Sequence, residues 1–462
     1  MFTLIGIMGL APGLLVAQQP NRKPTSITLE FEPEDRGFVF FRSGPKADEP
    51  PTRHTIAEEM MMSDSAAWGT CVAYSPDGLT IAFGDGPWRA YCRIFPTPCV
   101  NENGGLIRLV DAKTNRLIRT LQPEKRDAHE YQVENIQYSS DGKLVISSGY
   151  DTTYEKDGFV SVGDLTAWDS ETGQIRFQLL SDKDNSRFNT LISPDGRTVA
   201  DSDKNGMIRL RDLAKGEEKL TLAAPEGGAL NLDLAFSPDA RILAAGYEKS
   251  GILIWDADAG RELARFAVPA KAGFHHSSVE FDFDRKGLAL ACLNRFDDNM
   301  EESYERYSEI DIYNVNKHEE IIKLSEGQGM DFNSLAWSPD GMILAIACDS
   351  DVKEEQITSG WIRIWDRATQ KTRDIGKGDF GEPDQLVFSP DSQWLAVTGE
   401  WPLQPHSSVV LLEVSTGRKL ADLDASSTLD GLKIALSPDG KTLASAGYSL
   451  MLWDLRNIAT SP

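Results

Sequence analysis

Cysteine is scarce in this chain, and positive charge is in the minority. Its 462 residues include 5 Cys and 6 His, with 47 Lys and Arg against 71 Asp and Glu, a formal net charge of −24. That balance argues against nucleic acid and anionic membrane, whose binding needs basic patches. It permits a basic partner or a cation, and its plainest consequence is solubility. No C-x-x-C pair or Cys/His zinc spacing occurs, so no metal and no cofactor is expected. There is no G-x-S-x-G elbow, no H-E-x-x-H and no P-loop. The catalytic searches therefore come back empty. Beyond the N-terminus, no apolar run approaches the roughly 20 residues of a membrane helix.

The cysteines are odd in number. Cys71, Cys292 and Cys348 fall in strand-like runs and read as buried thiols. Cys92 and Cys99 share one long loop. In an exported protein they would form a disulfide, and free thiols are the alternative.

A repeat is present instead. A run such as FSPDG is followed by an apolar stretch and then by a segment such as IWD, eight times over. The copies begin at Tyr74, Tyr138, Ile192, Phe236, Phe283, Trp337, Phe388 and Leu436. A period of roughly 40–60 residues means a solenoid or a propeller. Each copy reads as four short strands. The first ends in the aromatic or aliphatic residue, and the Ser-Pro-Asp-Gly turn follows. There proline presets φ, aspartate bonds nearby backbone and glycine accepts positive φ. Strand two is small and apolar, and strand three is the IWD-like segment, from IRLVD (107–111) to LMLWD (450–454). Alternation with turn signals at this density marks antiparallel sheet.

These turns and segments resemble the WD-repeat β-propeller family over residues 54–454. The resemblance implies an all-β fold: a single β-propeller of four-stranded antiparallel blades around a channel. The count gives eight blades. Seven is the alternative, because the fifth copy (FDRKG, IDIYN) and the seventh (VLLEV) are degenerate. The eighth copy lacks a good fourth strand, and RHTIAEEM (Arg53–Met60) precedes the first. The expectation is that this N-terminal strand closes the ring and removes an exposed edge. The family's Gly-His pair is absent, so its buried hydrogen-bond tetrad is not expected. Closure would rest on alanines (Ala73, Ala235, Ala336, Ala435) and aromatics. SPDG turns also occur in propellers that cap prolyl-oligopeptidase-type hydrolases and in the periplasmic Tol-type propeller. No room remains here for a hydrolase domain.

The domain expectation is a signal peptide at 1–17, a linker or small hairpin at 18–52, and the propeller at 53–462. Residues 2–17 hold no charge and end in Leu-Val-Ala, like a secretory h-region, although no Lys or Arg precedes them. Export to an extracytoplasmic compartment is one expectation, and the cytoplasm is the other.

The link between strands two and three is long in blades one (85–104), two (150–162), five (294–307), six (349–360) and seven (399–406). In the family such links share one face, and insertions gathered on a face often mark binding. The arc is acidic, with Asp297, Asp298, Glu354 and Glu355. It carries the aromatics Trp88, Tyr91, Phe95, Tyr304, Tyr307 and Trp401, a combination suited to a basic protein partner. Solvated, variable loops are the plain alternative. Asp349 and Asp351 offer oxygen ligands for Ca²⁺ but do not match the EF-hand pattern. A second polar set falls in strand one: Cys71, Asn135, Asn189, Asp233, Glu280, Ser334, Gln385 and Lys433. These would lie near the axis and bond between blades. A ligand at the channel mouth, held by Asp233 and Glu280, is the alternative. The functional expectation is a non-catalytic interaction platform. The runner-up is a propeller enzyme or small-ligand binder.

Overall fold

The computed structural model describes residues 38–40 and 59–61, then 67–458 without the links 88–104, 123–129, 156–157, 182–189, 226–233, 269–273, 299–305, 326–329, 351–359, 401–406, 428–431 and a few single positions. The chain divides into two compact units, Met1–Arg36 and Gly37–Pro462, and only the second contains described residues.

The second unit is an eight-bladed propeller, and the described residues form no helix. Seven blades are built from consecutive four-stranded segments, starting at Ala67, Glu130, Thr190, Leu234, Phe274, Met330 and Glu382. The eighth takes three strands from the C-terminus (Lys433–Leu436, Thr442–Ala446, Ser449–Asp454) and its fourth, Glu59–Met61, from the N-terminus. Met60 pairs with Leu450 and Met61 with Ser449. The closing strand thus overlaps the C-terminal end of the expected Arg53–Met60, and residues 53–58 lie outside the described set. Phe38–Phe40, from the run GFVFF, adds a fifth strand outside Glu59–Met61. The other run, ITLEF (27–31), is outside the described residues.

The eight turns have one construction. In seven of them a buried or half-buried serine closes a loop. Ser75 N donates to Thr80 O (2.8 Å), Thr80 N donates to Ser75 Oγ (2.9 Å), and Ser75 Oγ donates to Asp77 Oδ1 (2.6 Å). Ser139, Ser193, Ser237, Ser338, Ser389 and Ser437 repeat the Ser–Asp bond. The serine hydroxyl holds the Asp77 and Asp141 carboxyls below the usual carboxylate range. In the degenerate fifth blade Asp284 fills the serine position. Its Oδ1 accepts from Leu288 N (2.7 Å) and Ala289 N (3.0 Å), and Arg367 of the sixth blade pairs with its other oxygen (2.6 Å). The turn's glycine takes positive φ, as at Gly78 (72°). Ala240 (62°) and Ser392 (62°) adopt the same conformation without being glycine.

The core is a set of seams between blades. A blade buries one face against each neighbour, which is why no blade is stable alone. Strand two is small so that the next blade can approach. A Cβ at Gly84 would lie 2.7 Å from Cys71 Sγ and 2.9 Å from Val133 Cγ1 of blade two. The closing seam packs Ile81, Phe83 and Val110 against Ala444, Ala446, Leu450 and Leu452. Its alanines come from strand two, while the expected Ala73, Ala235 and Ala336 pack, half-buried, against other seams.

Two blades carry a Trp–Ser hydrogen bond. Trp168 Nε1 donates to Ser147 Oγ (2.9 Å) and Trp453 Nε1 to Ser445 Oγ (3.5 Å), without a histidine. Other blades hold buried carboxylates instead. Asp85 pairs with Arg108, and Asp201 accepts from Arg211 Nε (2.7 Å). Blade two holds both, since its buried Asp164 accepts from Tyr131 Oη (2.6 Å). Burial pushes the Asp85 and Asp201 carboxyls up against the pull of their arginines.

Candidate partner-binding rim

The blades differ at the end opposite the serine turns. In blades one, two, five, six and seven the innermost strand runs 8, 9, 10, 8 and 7 residues. In blade eight it runs 4, and in blades three and four only its last 3 residues are described. Each long strand carries a register shift, at Gly69/Cys71, Val133/Asn135, His276/Ser278, Phe332/Ser334 and Pro383/Leu386. A bulge of this kind bends the strand and re-aims its end. The same five blades carry the long links of strands two and three. The long strands therefore raise a rim on two neighbouring arcs, blades five to seven and blades one to two.

Side chains from one blade stitch the bulge of the next. Thr70 Oγ1 donates to Val133 O, joining blades one and two. Arg295 of blade five donates to Phe332 O (3.3 Å) and to Asn333 O of blade six. Asn333 Nδ2 then donates to Asp349 Oδ2 (3.1 Å) and to Pro383 O of blade seven (3.1 Å). The bulged carbonyls lose a ladder partner and gain a neighbour's donor, as buried or half-buried polar backbone requires.

Strand pairing extends into two of the long links. In blade two, Leu144–Glu155 and Gly158–Asp169 stay paired to Glu155 opposite Gly158, so the expected link at 150–162 is a two-stranded ribbon. In blade five, Ala289–Asp298 and Arg306–Asn314 pair as far as Asp297 opposite Arg306. This corrects the placement of Tyr307. It is 3% exposed and its ring stacks on Phe296 at 4.4 Å, facing blade four. Continuation of the ladder puts it in the core, so it is withdrawn as a partner contact. Asp297 and Asp298 end strand two of that blade, opposite His275 and Phe274. Trp88, Tyr91, Phe95, Tyr304, Trp401, Glu354, Glu355 and the Cys92–Cys99 pair lie outside the described residues.

Several polar residues expected near the axis act between blades. Glu280 accepts from Ser334 Oγ (2.9 Å) and pairs with Arg295 (3.4 Å). Gln385 bonds both the N–H (2.8 Å) and the carbonyl (3.1 Å) of Ile434, and Lys433 pairs with Asp384 (3.3 Å). Asn135 is exposed. Cys71 turns away, because the bulge at Gly69/Cys71 directs its thiol into the apolar seam of blades one and two. Burial pushes that thiol up to about 12. Cys292 and Cys348 are likewise buried free thiols. Asn189 and Asp233 lie outside the described residues. The Glu280 carboxylate thus bonds to blade six, as expected of a residue that ties neighbouring blades. Reasoning from sequence missed the stitches. Thr70, Arg295 and Asn333 carry no motif, and only the offset between ladder partners shows their role.

The fold has solved relatives. The chain is similar to the C-terminal WD40 domain of Sif2, with a TM-score of 0.57 and 14% identity, over 86% of this chain and 97% of that one. A eukaryotic initiation factor (TM-score 0.48, 14% identity, 86% and 83%) and Kuenenia stuttgartiensis hydrazine synthase (0.47, 14%, 85% and 96%) are more distant and inform neither fold nor function. No protein-family model matches the chain. No curated protein matches it either. With eight four-stranded blades, the fold is that of a WD-repeat β-propeller. Among the described residues, no helix is long and apolar enough to cross a membrane.

Proposed function

We propose that this protein is a non-catalytic protein-interaction platform that binds through the raised rim of blades five, six, seven, one and two. The observation that supports it is the coincidence, in the same five blades, of a long bulged innermost strand with a long second link. Blade eight has neither, so the ring does not require them in every blade. Extra strand held rigid by stitches between blades offers a preorganised surface, which lowers the entropic cost of binding. The partner is a basic protein rather than nucleic acid or lipid, because the chain carries 71 acidic against 47 basic residues. Export remains part of the proposal, resting on the uncharged N-terminal segment, and cell fractionation tests it.

The test of the platform is affinity capture from native extract with three baits. These are wild type, a variant whose blade-two ribbon is cut back by replacing 152–161 with a two-residue turn, and a W88A/W401A double variant. A protein captured by wild type and lost from either variant at unchanged melting temperature, with capture weakening as salt rises, is the expected result. A partner kept equally by all three baits would remove the rim from consideration.

A further inference from the structure

At the turn end, blade five shows solvent a different face from the other seven. In those seven the turn aspartate accepts a backbone N–H two residues on, as Asp77 accepts from Leu79 N (2.9 Å) and Asp340 from Met342 N (3.0 Å). In blade five that duty has moved two positions back, to Asp284, which accepts from Leu288 N (2.7 Å). The usual aspartate position is thereby released from the turn, and Lys286 fills it, preceded by Arg285. Both are exposed, and among the described residues neither enters an ion pair. Every other turn carries an aspartate balanced by one basic residue at most, as Lys143 balances Asp141 (3.4 Å) and Lys441 balances Asp439 (3.1 Å). The fifth turn is therefore the one of the eight with net positive charge, in a chain whose formal net charge is −24.

Two large apolar side chains flank those cations. Leu288 is 38% exposed and Met342, in the turn of blade six, 44%. The Asp284–Arg367 bridge fastens the two turns side by side. Arg367 Nη1 donates to Asp284 Oδ2 (2.6 Å) and to Gly341 O (3.1 Å), and Arg367 N donates to Met342 O (2.9 Å). Leu79, at the same place in blade one, is 62% exposed, but its turn holds Asp77 and no cation. Folding gains nothing from the arrangement in blades five and six. Neighbouring unpaired cations repel each other, and apolar surface left in water stabilises only when something covers it.

We propose that the turns of blades five and six form a second interaction surface, at the end opposite the rim, that receives an acidic protein segment. Its Asp or Glu side chains meet Arg285 and Lys286, and its apolar side chains cover Leu288 and Met342. Two free cations are too few for nucleic acid, whose binding draws on many phosphate contacts. A free anion would leave the apolar flanks uncovered. The surface is independent of the rim, which lies at the other end and suits a partner of the opposite charge.

Panning a displayed library of random dodecapeptides on the immobilised full chain tests this. The chains compared are wild type, R285E/K286E, L288S/M342S and L79S. All the substituted residues are exposed, so the melting temperature should stay the same. Peptides enriched on wild type should combine Asp or Glu with Leu, Ile, Phe or Met. A synthetic copy of the most enriched one should bind R285E/K286E about tenfold more weakly, since two exposed ion pairs become repulsions. It should also bind L288S/M342S more weakly and L79S as well as wild type, and its affinity should fall as salt rises. Failure to enrich any peptide, enrichment of peptides without acidic residues, equal binding by either double variant, or an equal loss in L79S overturns the proposal. Self-association of the wild type in sedimentation, abolished in R285E/K286E, would assign the surface to a second copy of the chain and overturn it as well.

Discussion

Blade eight and the five rim blades are alike at one end and unlike at the other. At the serine-turn end every blade closes on the same few hydrogen bonds, even where Asp284 stands for serine. At the opposite end the innermost strand runs from 4 residues in blade eight to 10 in blade five. The turn end must fit beside two neighbours and tolerates only chemical equivalents. The rim end faces outward and is free to lengthen, provided that each bulge finds donors for its carbonyls. Variation thus collects where the ring does not need sameness, and that end is the place to look for binding.

The comparison can be tested from the turn end first. Asp284 is fully buried and accepts from two amides and pairs with Arg367, so D284A should leave those amides without their acceptor and cost about 2–4 kcal/mol. S237A, at the equivalent place in blade four, should cost only about 1–2 kcal/mol. Urea unfolding compares the two, and an equal cost would show that the fifth turn is no special case. At the rim, N333A removes bonds to Asp349 and Pro383 O and should cost about 1–2 kcal/mol while weakening capture of the partner. Lost stability with full capture would separate the stitches from the binding surface. The smallest effect is conformational. A240G relieves a left-handed alanine and should raise stability by up to about 1 kcal/mol. S392G should show no such gain, because the Ser392 Oγ accepts from Asp340 N (3.2 Å) and the glycine forfeits that bond. A gain of equal size in both would show that this bond contributes nothing.

The repeat made the blades legible. Proline, aspartate and glycine at fixed offsets dictate a turn locally, and an apolar run after each turn dictates a strand. Degenerate copies still count, as Asp284 shows, because the turn needs an acceptor rather than a serine. Closure was legible because the last copy lacks a fourth strand. The site was harder to read. Tyr307 was placed in a loop, since strand length beyond the repeat has no local punctuation and depends on pairing with Phe296. The stitches by Thr70, Arg295 and Asn333 join residues 37 to 63 positions apart and have no pattern along the chain.

What the sequence by itself determined is therefore the all-β ring of eight repeats, its turn chemistry and its acidic surface, because each rests on contacts between residues close in the chain or on simple counts. Only the tertiary structure decided where strands end, which bulges form, which carboxyls are withdrawn from water and which blades are tied to which. Those depend on what each blade meets in its neighbour, and a neighbour lies some fifty residues away.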